Sequence, residues 1–233
     1  MIPGSPLLVL AVAAALFAPA FGDRLRRAYA IAFVAALALY FGLSALPASL
    51  PGDRLIGNRW NWAGGLVAAA GMLALAAALV RRAGFAWQEF GFTLSQRPGS
   101  LRAAALVALP VLALNYAAMT LSRFRLPSVP LETWLYQATL PGLVEEIAFR
   151  GVLLALADRA FAARRTIGGA PLGFGGAIVT AGFCAAHGIS FGTALGVLPA
   201  ALLYLWLRAR TGSLVLPVVV HNAWNLSVYA AHL

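Results

Sequence analysis

Residues 132–157 read ETWLYQATLPGLVEEIAFRGVLLALA, a mainly apolar run that carries two glutamates and an arginine in its middle. A helix of roughly 17–25 mainly apolar residues can cross a bilayer core of about 30 Å. Seven further runs of this kind fill most of the chain, at 5–21, 28–46, 61–80, 103–121, 173–189, 190–207 and 214–231. The sequence therefore predicts an all-α polytopic membrane protein with about eight transmembrane helices in one bundle.

The composition also places the chain in a lipid bilayer. Of its 233 residues, 62% are hydrophobic and only 10% are charged, which a soluble domain of this length could not bury in a core. We expect residues 1–233 to form a single transmembrane domain. All 17 basic residues are arginines, most of them in short gaps between apolar runs. The net charge of +10 therefore reflects membrane topology, and nucleic acid is not an expected partner.

The distribution of arginines predicts an orientation. The first, third, fifth and seventh connections between runs hold 3, 4, 3 and 2 arginines, whereas the second and fourth hold 2 each and the sixth holds none. Cytoplasmic loops of membrane proteins are enriched in Lys and Arg. The odd-numbered connections are therefore predicted to be cytoplasmic, with both termini on the other side. The absence of lysine beside abundant alanine and arginine favours a bacterial source, and hence the inner membrane.

Glu145, Glu146 and Arg150 are the charged residues in the middle of an apolar run, and Arg150 is the only arginine expected inside the bundle. A charge near the bilayer centre costs at least about 2.5–3.5 kcal/mol, so such residues usually mark function. Residues four apart share a helix face, so Glu146 can pair with Arg150, whereas Glu145 is turned about 100° away. We expect a structural pair of Glu146 and Arg150 and a free carboxylate, Glu145, that serves as general base. Alternatively, all three residues only connect helices.

Two of the three histidines, His187 and His221, also lie in apolar runs. His221 and Asn225 are four residues apart, so both can point into one cavity and hold an oxyanion, whereas Asn222 lies off that face. At about 1.5 Å per residue, Glu145, His187 and His221 lie roughly 18, 21 and 12 Å from the cytoplasmic ends of their helices. The sequence predicts that they meet near the middle of the membrane.

Three motifs summarise these residues. Residues 145–150 read EExxxR, residues 183–187 FxxxH, and residues 221–225 HxxxN. Together, on separate apolar runs, they resemble the CAAX protease and bacteriocin-processing family, also called CPBP or Abi. The resemblance covers roughly residues 130–230, and we expect residues 130–231 to form the catalytic core.

The resemblance implies a glutamic intramembrane endopeptidase without a cofactor. In that scheme Glu145 and His187 activate a water molecule, while His221 and Asn225 stabilise the tetrahedral intermediate. Glu146 and Arg150 support the site. The implied substrate is a membrane-associated or lipidated protein or peptide, met within the lipid bilayer.

Other mechanisms use some of the same residues. Residues 188–192 fit the GxSxG pattern of a serine protease with Ser190 as nucleophile, but the strand–turn–helix context of that motif is not predicted. A zinc protease could use His187, His221 and Glu145 as ligands, but HExxH is missing, and we expect no metal. Buried carboxylates and histidines also build proton relays, so a proton-coupled transporter or a bacteriocin-immunity protein without proteolysis is a further alternative.

Overall fold

The computed structural model describes residues 6–45, 60–122, 128–188 and 190–233 of the chain. Residue 189, where the sixth and seventh apolar runs meet, lies outside these ranges. The arginines of the second and fourth connections lie outside them as well: Arg54, Arg59, Arg123 and Arg125.

Every apolar run coincides with a helix or with consecutive helical segments. In chain order the α-helices are α1 (Pro6–Leu16), α2 (Arg24–Ala45), α3 (Trp62–Ala83), α4 (Ser100–Leu121), α5 (Leu131–Glu145), α6 (Leu154–Ala160), α7 (Phe174–His187), α8 (Phe191–Thr211) and α9 (Val215–Ala230). A π-helical segment, Glu146–Leu153, joins α5 directly to α6, so the fifth run is one helical rod. Single 3₁₀ turns lie at Ala18–Ala20 and Trp87–Phe90.

Helices α2, α3 and α4 are long and apolar enough to cross a membrane on their own. Helices α1 and α7 are apolar but shorter. The predicted fold class, a helical membrane protein, is therefore confirmed. The count of eight spans stays a prediction.

A short β-hairpin departs from the all-helical prediction. Strands β1 (Arg164–Ile167) and β2 (Ala170–Gly173) pair antiparallel in the connection between α6 and α7. Gly168 and Gly169 form the turn with φ of +57° and +73°. Positive φ at both central positions suits the right-handed twist of paired strands, and glycine adopts it without a side-chain clash. The sequence predicts only a loop here because the hairpin is short and its first strand is mostly polar.

The third, fifth and seventh connections lie together at one end of the bundle. Arg159 of α6 donates to the Glu89 carboxylate at 2.7 and 2.8 Å, and Arg97 donates to the carbonyl of Ala209 at 2.7 Å. The two helices joined by each of these connections therefore run in opposite directions. These three of the four arginine-rich connections lie at one end of the bundle, as a cytoplasmic assignment of them requires.

Arg208 corrects the expectation that Arg150 is the only arginine inside the bundle. The predicted run 190–207 ends just before Arg208, but α8 continues to Thr211, and Arg208 is only 7% exposed. Its guanidinium donates to the carbonyls of Arg150 at 3.2 Å and Glu89 at 2.9 Å. Main-chain oxygens thus satisfy a cation that the hydropathy pattern assigns to a solvated loop.

Candidate active site

The two adjacent glutamates lie where the helical hydrogen-bonding pattern changes. Helix α5 ends at Glu145, and the π-helical segment begins at Glu146. In a π-helix the main chain bonds five residues apart, and such segments are rare and occur often at functional sites. The sequence predicts a regular 3.6-residue helix here. The expected contact four residues apart nevertheless forms, with Arg150 Nη1 3.0 Å from Glu146 Oε1.

The pair of Glu146 and Arg150 is completely buried. Arg150 also donates to the carbonyl of Ala201 in α8 at 3.1 Å, and its guanidinium lies 4.1 Å from the centre of the Phe183 ring in α7. A buried ion pair needs such additional contacts because they offset the cost of removing both charges from water. Arg150 thereby connects three helical elements beneath the site.

His221 approaches Glu146 from α9. Its Nδ1 lies 2.8 Å from Glu146 Oε1, and its ring stacks on Tyr204 with a centroid distance of 4.5 Å. A carboxylate accepts hydrogen bonds and donates none, so Nδ1 carries the proton. This orientation turns Nε2 toward Glu145, at 3.8 Å from Oε2. The sequence does not predict the contact with Glu146, because 75 positions separate the two residues.

His187 completes the group at the end of α7. Its Nδ1 donates to the carbonyl of Phe183 at 2.9 Å, and its Nε2 lies 3.7 Å from Glu145 Oε2. Gly188 follows with a φ of +125° and ends the helix there. The imidazole is therefore fixed at a helix end and not in mid-helix. The side chains of His187 and Glu145 are 33% and 22% exposed, so the site opens to the surface of the helical bundle.

Three of the four expected catalytic side chains thus meet. Glu145 Oε2 is buried and has no hydrogen-bond partner among the described residues, although two imidazole nitrogens face it. Asn225 lies one turn beyond His221 on α9 and is half-buried. Within the described ranges, no group of three or more His, Cys, Asp or Glu residues is arranged to hold a metal ion.

Ser190 is exposed between α7 and α8. Helices precede and follow it in the described chain, so the strand–turn–helix context of a nucleophile elbow is not formed there.

Residues 127–227 match the family model described as "Type II CAAX prenyl endopeptidase Rce1-like". This part of the chain, hereafter the Rce1-like segment, is similar to that family. All three motifs fall inside the Rce1-like segment, which confirms the family resemblance that they indicate. The segment covers just under half of the chain and begins shortly before α5. No curated protein and no solved structure matches the chain.

Proposed function

We propose that this protein is a glutamic intramembrane endopeptidase that hydrolyses a peptide bond in a membrane-associated or lipidated protein or peptide. One observation carries the proposal: the buried Oε2 of Glu145, which has no hydrogen-bond partner among the described residues, faces the Nε2 atoms of His187 and His221 at 3.7 and 3.8 Å. The Rce1-like segment supports protease activity of the CAAX type in general.

A water molecule fits this arrangement. Separations of 3.7 and 3.8 Å are too long for direct hydrogen bonds, and polar groups at such distances are often bridged by water. His187 uses its Nδ1 proton on the carbonyl of Phe183, so its Nε2 and the Glu145 carboxylate both present acceptors to this water. A water that donates to Glu145 and to His187 directs its oxygen lone pair away from both, toward a substrate carbonyl.

Glu145 serves as base and then as acid in the proposed reaction. Its carboxylate takes a proton from the water while the water oxygen attacks the carbonyl carbon, and the carbonyl oxygen becomes an oxyanion. The protonated Glu145 then returns the proton to the amide nitrogen as the C–N bond breaks. The step needs no metal ion, since the general base alone activates the water.

His221 and Asn225 are the proposed oxyanion donors. Because Nδ1–H of His221 already donates to Glu146, donation from Nε2 requires an imidazolium protonated on both nitrogens. That proton also balances the local charge, since Glu145 and Glu146 carry two negative charges against one positive charge on Arg150. Glu146 acts as a positioning residue for His221, and Arg150 holds Glu146.

The proposal includes the wider architecture. Eight spans form one transmembrane domain over residues 1–233, with the catalytic core at 130–231, in a bacterial inner membrane with both termini on the non-cytoplasmic side. Three helices of membrane-crossing length and the clustering of arginine-rich connections at one end support it.

Purified protein in liposomes separates this proposal from a proton-coupled transporter. Prenylated and unprenylated CAAX-type peptides are added, their products are identified by mass spectrometry, and an enclosed pH dye reports proton flux. We expect a defined peptide fragment and no peptide-dependent flux. Proton flux coupled to transport of an intact peptide would contradict the proposal.

A further inference from the structure

Asn222 ties α9 to α5 one turn before Glu145. Its side-chain Oδ1 accepts a hydrogen bond from the main-chain N–H of Gly142 at 2.9 Å, and its Nδ2 donates to the carbonyl of Thr139 at 3.2 Å. Asn222 is only 8% exposed. Both functional groups of this carboxamide are therefore used on the main chain of a neighbouring helix.

These two bonds flank a proline. Pro141 lies inside α5, between Thr139 and Gly142. A proline in a helix has no N–H to donate, so it removes the hydrogen bond to the carbonyl four residues earlier and weakens the helix at that point. Asn222 adds one acceptor and one donor on the two sides of this proline.

The two helices approach very closely there. A Cβ atom added to Gly142 would clash with Asn222 Oδ1 and would lie 2.8 Å from the carbonyl oxygen of Val218. The Val218 oxygen belongs to the main chain of α9, so it could not be displaced without moving that helix, and the Asn222 side chain would have to leave Gly142. A glycine at position 142 is therefore a condition of the contact.

Asn222 and His221 form two adjacent anchors on α9. His221 holds Glu146 at 2.8 Å, and Asn222 holds Gly142 at 2.9 Å. Glu145 lies between these anchor points, three residues after Gly142 and directly before Glu146. The two anchored residues, Gly142 and Glu146, lie about one helical turn apart. Contacts at both of them fix the separation of this helical rod from α9 and its rotation about its own axis.

We infer that Asn222 is a positioning residue, which holds the proline-containing part of α5 so that the Glu145 carboxylate stays between the imidazoles of His187 and His221. The inference rests on the proposed function of Glu145. It differs from the role of Asn225, which would touch the reacting atoms. Loss of a group that orients a catalytic residue costs about 10–100-fold in rate, since a displacement of about 1 Å is enough.

The test compares Asn222→Ala with Asn115→Ala. Asn115 is a matched control because it is 9% exposed and also bonds α9, through Ser227 Oγ at 2.9 Å, but from α4. We expect Asn222→Ala to lower kcat by about 10–100-fold with little change in KM, and Asn115→Ala to leave both near the parent values. Equal kcat for the two variants would contradict the inference.

A second readout does not depend on activity. The chain has only three histidines, so ¹⁵N-histidine NMR can follow each ring, with assignment by His→Gln variants. Asn222→Ala should shift the signals of His187 and His221, and Asn115→Ala should not. If Asn222→Ala does not fold, Gly142→Ala displaces the same contact and should give the same shifts.

The two readouts separate the two claims. A parent protein that cleaves no peptide would contradict the proposed function. The positioning role of Asn222 would then be decided by the NMR signals of the histidine rings alone. Ring signals of His187 and His221 that are the same in Asn222→Ala, Gly142→Ala and the parent would overturn the inference, even if the parent is an active peptidase.

Discussion

His221 and Glu146 lie 2.8 Å apart, from Nδ1 to Oε1, although 75 positions separate them in the chain. The same oxygen of Glu146 accepts a hydrogen bond from Arg150 at 3.0 Å. One buried carboxylate therefore belongs both to an ion pair that joins helices and to the orientation of a site imidazole. From the sequence alone, Glu146 is expected only in the structural pair with Arg150, and His221 only among the catalytic residues.

Glu146→Gln should destabilise the fold more than any substitution of a surface carboxylate. The change leaves Arg150 as an unpaired charge in a fully buried position, which costs about 3–5 kcal/mol. Thermal unfolding in detergent measures the loss. Glu89→Gln is the control, since the Glu89–Arg159 pair is about one third exposed and such pairs contribute at most about 1 kcal/mol. A Glu146→Gln protein as heat-stable as the parent but inactive would move Glu146 into the catalytic group.

The helices and the main site residues could be predicted because each leaves a local signal. Apolar runs mark the helices, and Glu145, Glu146 and Arg150 are visible as charges inside one run. Three features could not be predicted: the contact of Glu146 with His221, the burial of Arg208, and the hydrogen bonds of Asn222 to α5. They depend on how distant helices pack, and no period within one helix encodes that.

The π-helical segment was missed for a related reason. A period of 3.6 residues is assumed when faces are assigned from sequence, and eight residues from Glu146 to Leu153 depart from it. The pairing of Glu146 with Arg150 is tolerant of this change because long side chains can adjust. The direction of the Glu145 side chain depends more strongly on the helical period, so it could not be predicted from the sequence.

Asn225→Ala should fold normally and lose about 10²–10³ in turnover, the usual cost of one oxyanion donor. The physical reason is that the substrate oxygen gains negative charge only in the transition state, so KM should change little. Steady-state kinetics and a melting curve on the same preparation check both parts. An Asn225→Ala protein with parental kcat would remove Asn225 from the proposed site.

Acid should remove the stabilisation that Glu89 provides at the end of the bundle. The hydrogen bonds from Arg159 are the main cause that lowers the pKa of Glu89 below its usual value of 4.5. A lowered pKa in the folded state adds stability above the pKa of the unfolded chain, and this stability is lost as pH falls through the lowered value. The melting temperature of the parent should exceed that of Glu89→Gln at pH 7, and the difference should shrink below about pH 4.5. A difference that grows on acidification would contradict the assignment.

The termini should both face the non-cytoplasmic side. The odd-numbered connections hold most of the loop arginines, and three of those connections lie together in the structure. Fusions of alkaline phosphatase and of green fluorescent protein to each terminus report the side. We expect phosphatase activity at both ends, and cytoplasmic fluorescence at either end would show a miscounted span or an inverted orientation.

Chelation and the Ser190→Ala substitution distinguish the proposed glutamate mechanism from a zinc protease and from a serine protease. Cleavage should persist in the presence of a chelator, and Ser190→Ala should keep most of the activity. Activity that is lost on chelation and restored by zinc would favour the zinc alternative with His187, His221 and Glu145 as ligands. Activity that disappears with Ser190→Ala would favour the serine alternative.

The most direct test of the central claim is the turnover of Glu145→Gln on a peptide that the parent cleaves. Glutamine keeps the size of the side chain but cannot take a proton from water. Glu132→Gln, at the start of the same helix, is the matched control. We predict that Glu145→Gln folds, binds the peptide and loses nearly all turnover, while Glu132→Gln keeps the parental rate. Cleavage by Glu145→Gln at a rate close to that of the parent would contradict a glutamate-activated water.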